Sequence, residues 1–378
     1  MYNTLYVLVL KEVGMIHFTN KDWERVRSSF DKWWDKKSEH ALIGAMVKSY
    51  QPSGKIPAKP LLTQKNVHLG FTADEILDAV EYHLSAYEFI GDAFPQFNMD
   101  CFGPGVVAAF LGCEMDNNNG ETGIWFHPNK KMDITTFNPV YDGDNPVLKR
   151  IRELFKRSVE RFEGKILLSM PDLGGVADVL SSFFPGEELL YEMYDNPDYV
   201  IAVINKLDEL WQRFYNDFAN DLKCESYGYT DWSGLLSSKS SYVIQSDVTY
   251  MISHDMFKEF IYGSVKKHTQ NLKRTLFHLD GVGELKNLDC LLEIKELNAV
   301  QWVPGTNSGR NTFYDWIEVY EKILNADKLA QVHEGTFEDF ENIVRHVNKK
   351  GYLQRRMAVF EEKDRDYVIN TIDRIKSL

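Results

Sequence analysis

Two periods of apolar positions divide the chain into elements. Trp23, Val26, Phe30 and Trp33 recur at helical spacing behind a capping box from Thr19 to Asp22, so a first helix is expected to run to about residue 37. Leu42 to Val47 reads as a short strand, and residues 50–66, with three prolines, as a long loop. Thr72 to Glu75 caps a second helix with Ile76, Val80, His83, Tyr87 and Ile90 on one stripe. Phe94 to Cys101 reads as a strand ending in Asp100, before the tight Gly103-Pro104-Gly105. Pro146 opens a helix with Leu148, Ile151, Phe155 and Phe162 on its apolar stripe, and Gly164 ends it. Ile166 to Met170 is a strand. Residues 186–222 are helix-rich and broken at Asn196-Pro197. Ser226 to Asp231 and Tyr242 to Asp247 are strand candidates, and Ser253 caps a further helix.

The last hundred residues are the most regular. Strands at Arg274–Leu279, Ala299–Val303, Leu329–His333 and Tyr352–Gln354 alternate with helices near 287–295, near 312–325, behind Thr336, and at the end of the chain. This pitch implies parallel strands with crossover helices. Nine or ten strand candidates compete for the eight places of a (β/α)8 TIM barrel. A doubly wound sheet is the rival, but no GxGxxG turn or Walker loop stands at a strand-to-helix junction. The expected layout is a helical extension over 1–40 and one barrel domain over 41–378. An insertion is expected at about 113–145, with a turn at Asn117–Gly120 and a hairpin arm at Thr122–Phe126.

Composition narrows the function classes. The 378 residues hold 43 Lys plus Arg and 56 Asp plus Glu, a net charge of −13. Such a chain has no electrostatic reason to hold nucleic acid or an anionic membrane. Its four cysteines, Cys101, Cys113, Cys224 and Cys290, form no CxxC pair, which points to buried thiols in a reducing cytoplasm. No apolar run approaches the ~18 residues of a membrane span. The first fourteen residues lack the basic start and small-residue cleavage site of a leader, and a native start at Met15 is an open alternative.

In a (β/α)8 barrel the site lies at the C-terminal ends of the strands. Here those ends carry Asp100, Asp172, Asp231 with Trp232, Asp247, His278 with Asp280, Gln301 with Trp302, and His333 with Glu334. His278 and Asp280 are two apart, so in a strand they face one side. That spacing suits two ligands of one metal, or a base with its orienting carboxylate. A rim histidine beside a turn aspartate is the plainer alternative. Trp302 is read as a pocket floor or a packing residue. His333 and Glu334 are adjacent, so only one can point inward. Arg355 and Arg356 follow the last strand and are placed to clamp a carboxylate or phosphate. His83 is expected in the core, and His254, His268 and His346 on the surface or in packing.

From about 94 to 360 the chain resembles the uroporphyrinogen decarboxylase superfamily, which includes zinc-dependent methyltransferases that pass methyl groups between corrinoid proteins and thiols. The resemblance rests on segments in the right order: 96–100 through 110–112, Leu168 to Pro171, Gly186 to Leu190, Ile244 to Asp247, His278 to Gly281, and Gln301-Trp302. His278-Leu279-Asp280-Gly281 is similar to the zinc-binding His-x-Cys-Gly of the methyltransferases, with Asp280 in place of the first cysteine. No cysteine follows Cys290 to supply their last ligand. The decarboxylases' N-terminal arginines are absent from Gly44 to Pro60. Ala177-Asp178 stands near their middle tyrosine, and Arg355-Arg356 near their late Gly-His-Gly. Asp100 matches a catalytic position of that branch.

The resemblance implies a barrel enzyme performing methyl transfer between a corrinoid (cobalamin) protein and a small substrate. Zinc would sit at His278 and Asp280, with His333 or Glu334. Asp100, His278 and Asp280 would be catalytic, and Asp172, Asp178, Asp247, Gln301, Trp302, Arg355 and Arg356 would contact substrate. The alternatives are a cofactor-free decarboxylase acting on a smaller carboxylate than uroporphyrinogen, and a non-catalytic binding barrel.

Overall fold

The computed structural model describes residues 16–117, 123–305 and 308–378. The first fourteen residues, and the Asn117–Gly120 turn beyond its first residue, lie outside these. The fold is mixed α/β, with helices packed on parallel sheets. Its strands are β1 (Gly44–Lys48), β2 (Tyr87–Gly91), β3 (Gln96–Phe97), β4 (Glu114–Asp116), β5 (Trp125–His127), β6 (Leu167–Leu168) and β7 (Tyr229–Thr230). After these come β8 (Leu236–Ser237), β9 (Ser241–Ile244), β10 (Arg274–Asp280), β11 (Ala299–Val303), β12 (Leu329–Val332), β13 (Leu353–Arg355) and β14 (Ala358–Glu361).

The regular C-terminal pattern forms one parallel sheet in the order β13-β12-β11-β10-β9. Its strands are almost wholly buried, as parallel strands covered by helices must be. The N-terminal half is more broken. β3 pairs with β6 over two residues, and β7 pairs with β8. Single hydrogen bonds carry the order onward. Met170 N–H donates to Thr230 O at 2.9 Å, joining β6 to β7. Val243 N–H donates to the Asp231 carboxylate at 3.0 Å, joining β7 to β9 by a side chain. Leu42 bridges Gln354 in parallel, and Ile43 exchanges bonds with Asp92 just before β3. No closed strand ladder runs round this circuit among the described residues.

Several expectations change. The strands expected at Ser226–Asp231 and Tyr242–Asp247 shrink to β7 and β9, because Cys224–Tyr227 is helical and Asp247 opens a 3-10 turn. The second helix spans Ala73–Leu84 and stops short of Tyr87 and Ile90. Ser85 caps it, taking a bond from Ser53 N–H and giving one to Tyr82 O. Tyr87 and Phe89 are then buried at strand spacing in β2, which pairs antiparallel with β1. The strand expected at Phe94–Cys101 shrinks to β3, because Asp100–Phe102 coils into a 3-10 turn. β4 pairs antiparallel with β5, whose Trp125–His127 overlaps the hairpin arm expected at Thr122–Phe126.

The first helix, Asn20–Trp34, packs where the parallel strands begin. Its capping box satisfies the first turn, and Trp23, Val26, Phe30 and Trp33 enter the core. Trp34 Nε1 donates to Leu236 O at 2.9 Å, and buried Arg274, at the start of β10, pairs with Asp35 at 2.9 Å. That end of the sheet is thereby closed. The opposite end collects the polar residues.

Candidate functional site

β10 ends in His278-Leu279-Asp280-Gly281. Leu279 is fully buried, and His278 and Asp280 share the other face, with His278 Nε2 3.8 Å from an Asp280 oxygen. Gly281 turns the chain at φ +84°, a conformation that disfavours other residues, and its N–H donates to Val303 O at 2.7 Å. The turn leads to Glu284, 1% exposed, which accepts from Asp280 N–H at 3.2 Å. Burial and the neighbouring Asp247 push the Glu284 carboxyl up to about 9, so it holds a proton at neutral pH. Burial also lifts Asp172, to about 7, and raises Asp178 and Asp247, which oppose each other's ionisation. Burial pulls the His278 ring down, but its bond with Asp280 and the charges of Asp247 and Asp280 win, and it ends above the ordinary histidine value.

A cavity of about 290 Å³ opens between Asp247, Tyr250, Asp280, Glu284 and Pro304. A second, of about 410 Å³, lies toward β12 and β13, lined by Gln96, Asn98, Trp232, His333, Arg355 and Arg356 with Met46, Leu61 and Met357. Arg356 donates to Trp232 O at 3.0 Å and to His333 Nε2 at 3.3 Å. Arg355 donates to Arg356 O at 2.7 Å and to Gly335 O, with its guanidinium over Phe337. Among the described residues neither arginine has a carboxylate at ion-pair distance. Burial lowers Arg355 only to about 10, so it stays charged. Burial and Arg356 press His333 down to about 3, so its ring is neutral. The His278 and His333 ring centres are 6.3 Å apart, and Trp232 stands edge-on to His278 at 5.0 Å.

The strand ends thus bring together Asp172, Asp178, Asp247, His278, Asp280, Gln301, His333, Arg355 and Arg356. Asp100 sits exposed at the rim, where partial loss of solvent around its carboxyl raises it and Arg356 opposes the rise. Trp302 points the other way from Gln301, fully buried edge-on to Trp316 at 5.3 Å, and lines neither cavity. Half-buried His83, expected in the core, borders the larger cavity. His268 is buried against Trp211, as a packing residue would be. Glu284, Gln331 and Gln354 escaped the sequence reading. A usable signal existed for two of them, since Gln301, Gln331 and Gln354 each interrupt an apolar strand at the same level.

The zinc site implied by the resemblance needs three or more protein donors. His278 and Asp280 approach each other, but His333 Nε2 is taken by Arg356 and the Glu334 side chain is 71% exposed. No group of three or more His, Cys, Asp or Glu is placed to hold a metal ion among the described residues. These residues do not fit such a site. No helix among the described residues is long and apolar enough to cross a membrane. No family model matches the chain, and no curated protein matches it.

Proposed function

We propose that this chain is a uroporphyrinogen-decarboxylase-like (β/α)8 barrel enzyme. Its reaction is methyl transfer between a small anionic substrate and a corrinoid carried by a partner protein, assisted by proton transfer from the chain. Support for the barrel is the pair of parallel runs β3-β6 and β9-β10-β11-β12-β13, linked through β7 by single hydrogen bonds, with Leu42 beside β13 and Asp92, before β3, beside Ile43. The observation that carries the chemistry is the pairing of proton-bearing groups, His278 and Glu284, with buried Arg355 and half-buried Arg356, neither of which has a carboxylate at ion-pair distance among the described residues.

The arginines hold the substrate's anionic group, since a partly desolvated cation with no carboxylate in direct contact is costly and an incoming anion relieves it. Apolar Met46, Leu61 and Met357 cover its body. When the methyl group departs, the electron pair of its bond to oxygen, nitrogen or sulfur stays on that atom and takes a proton. His278 Nε2 supplies that proton, and the buried carboxyls restore it. A corrinoid would supply the nucleophilic metal that accepts the methyl group. Both cavities are far smaller than that macrocycle, so the partner would present it at the mouth.

The test incubates the purified chain with chemically reduced cobalamin and a panel of anionic methyl ethers, amines and thioethers. An enzyme-dependent change in the corrinoid spectrum is expected with at least one donor. Release of labelled carbon dioxide from a carboxylate, with no corrinoid change, would favour the decarboxylase reading, for which the same two arginines also speak. A thermal shift without either reaction would leave a binding barrel.

A further inference from the structure

Gln301, Gln331 and Gln354 lie side by side with His278 on four neighbouring strands, because the ladders pair His278 with Gln301, Gln301 with Gln331, and Gln331 with Gln354. All three glutamines are buried, at 0%, 0% and 3% exposure. Their side chains form one continuous chain. Gln354 Nε2 donates to Arg355 O at 2.5 Å. Gln331 Nε2 donates to Gln354 Oε1 at 2.7 Å and to Ser233 O at 3.2 Å. Gln301 Nε2 donates to Gln331 Oε1, and Gln301 Oε1 meets His278 Nδ1.

The far end sets the direction. Main-chain carbonyls can only accept, so the amide groups of Gln354 and Gln331 must turn their N–H bonds toward Arg355 O and Ser233 O. Reversing one amide would bring two donors or two acceptors face to face in a dry layer, at about 1–3 kcal/mol for each group left unpaired. The order therefore passes without choice to Gln301, whose free atom toward His278 is an acceptor. His278 must donate from Nδ1.

We propose that Gln301, Gln331 and Gln354 are positioning residues that hold His278 as its Nδ1–H tautomer and so reserve Nε2, the nitrogen facing Asp280, for proton exchange with substrate. The use of Nε2 rests on the function proposed above. The tautomer does not, and it is measured without turnover. A buried amide row serving only to fill space would stabilise the sheet yet leave the histidine free to carry its proton on either nitrogen.

The experiment is nitrogen NMR on the full chain labelled with ring-¹⁵N histidine, with His278 assigned by comparison with His278→Gln. Spectra are taken at alkaline pH, where the ring has lost its second proton. The expected signal is a protonated Nδ1 and an unprotonated, pyridine-like Nε2. Gln301→Glu, which keeps an acceptor, should retain that pattern. Gln301→Leu and Gln331→Leu should give a mixture of tautomers, the second although it touches no atom of His278. A protonated Nε2 in the unaltered chain overturns the proposal. So does a single unchanged tautomer in Gln301→Leu. If the leucine variants do not fold, the unaltered chain and Gln301→Glu still decide, because a mixture in either is fatal to it.

Discussion

Toward β12 and β13 the parallel strands end in cations, and toward β9 and β10 they end in acids. On the first side Arg355 and Arg356 spend their N–H bonds on main-chain oxygens and on a neutral histidine, and among the described residues neither has a carboxylate at ion-pair distance. On the second, burial raises Asp172, Asp178 and Glu284 together, the first two to about 7 and Glu284 to about 9, where it keeps its proton at neutral pH. The same desolvation acts on both sides with opposite results. A guanidinium keeps its proton even when its pKa falls, whereas a carboxyl gives up its charge. One side becomes an anion receptor and the other a proton store, and His278 touches the second while its ring faces His333 of the first.

The largest expected effect comes from removing the group in between. His278→Gln should lower turnover by about 10²–10⁴, read as the initial rate of corrinoid methylation, with little change in melting temperature. A rate near that of the unaltered chain would mean that the proton store has another outlet.

On the cationic side, Arg356→Ala should weaken a small aromatic carboxylate by about 10-fold to 100-fold, from the ~1.5–3 kcal/mol of a charged hydrogen bond. Calorimetric titration measures it. Equal affinity in both proteins would remove the anion receptor from the comparison.

The two sides should also respond to pH in opposite senses. Glu284 sits at about 9 in the fold against an ordinary 4.5. The fold therefore binds the proton more tightly than the unfolded chain, and stability is lost as pH rises from 4.5 toward 9. Glu284→Gln should accordingly stabilise the protein by about 1–3 kcal/mol at pH ~8.5 and hardly at all at pH ~5, by urea titration at each pH. An effect of the same size at both would show that Glu284 is ionised.

The smallest effect is expected at His333, which sits at about 3 against an ordinary 6.5. Here the unfolded chain binds the proton more tightly, so stability is complete above pH 6.5 and drains as pH falls below it. His333→Gln should recover about 1 kcal/mol at pH ~5 and nothing at pH ~8. If the loss of stability at low pH is unchanged by the substitution, other groups account for it.

How much of this was readable beforehand differs between the halves of the chain. Ala299–Val303 was bounded to the residue, and the caps at Thr19, Thr72, Ser253 and Thr336 all form. Capping and apolar runs are local, and local chemistry decides them. The helix overrun into Tyr87 had a different origin. Tyr87 and Ile90 fit a helical stripe, but Tyr87 and Phe89 also fit a strand, and only β1 lying alongside made the strand win. In the site, His278 and Asp280 were found because strand spacing puts them on one face. Trp302 was weighed as a pocket floor, yet Gln301 takes the inward face and the tryptophan must then pack against Trp316. Glu284 gave no signal, since an acid in a turn reads as solvated until Thr249, Tyr250 and Asp247 are known to close over it.

Sequence alone was enough for the alternation of strands and helices, for the acidic balance, and for which polar residues stand at strand ends. These depend on spacing and composition, which do not change when the chain folds. The tertiary structure decided which of those residues carry charge. It buried three carboxyls together, left two arginines with no described carboxylate at ion-pair distance, and lined up three glutamines so that one histidine nitrogen is held as a donor. Protonation and hydrogen-bond direction follow from neighbours far away in the chain, and folding alone supplies those neighbours.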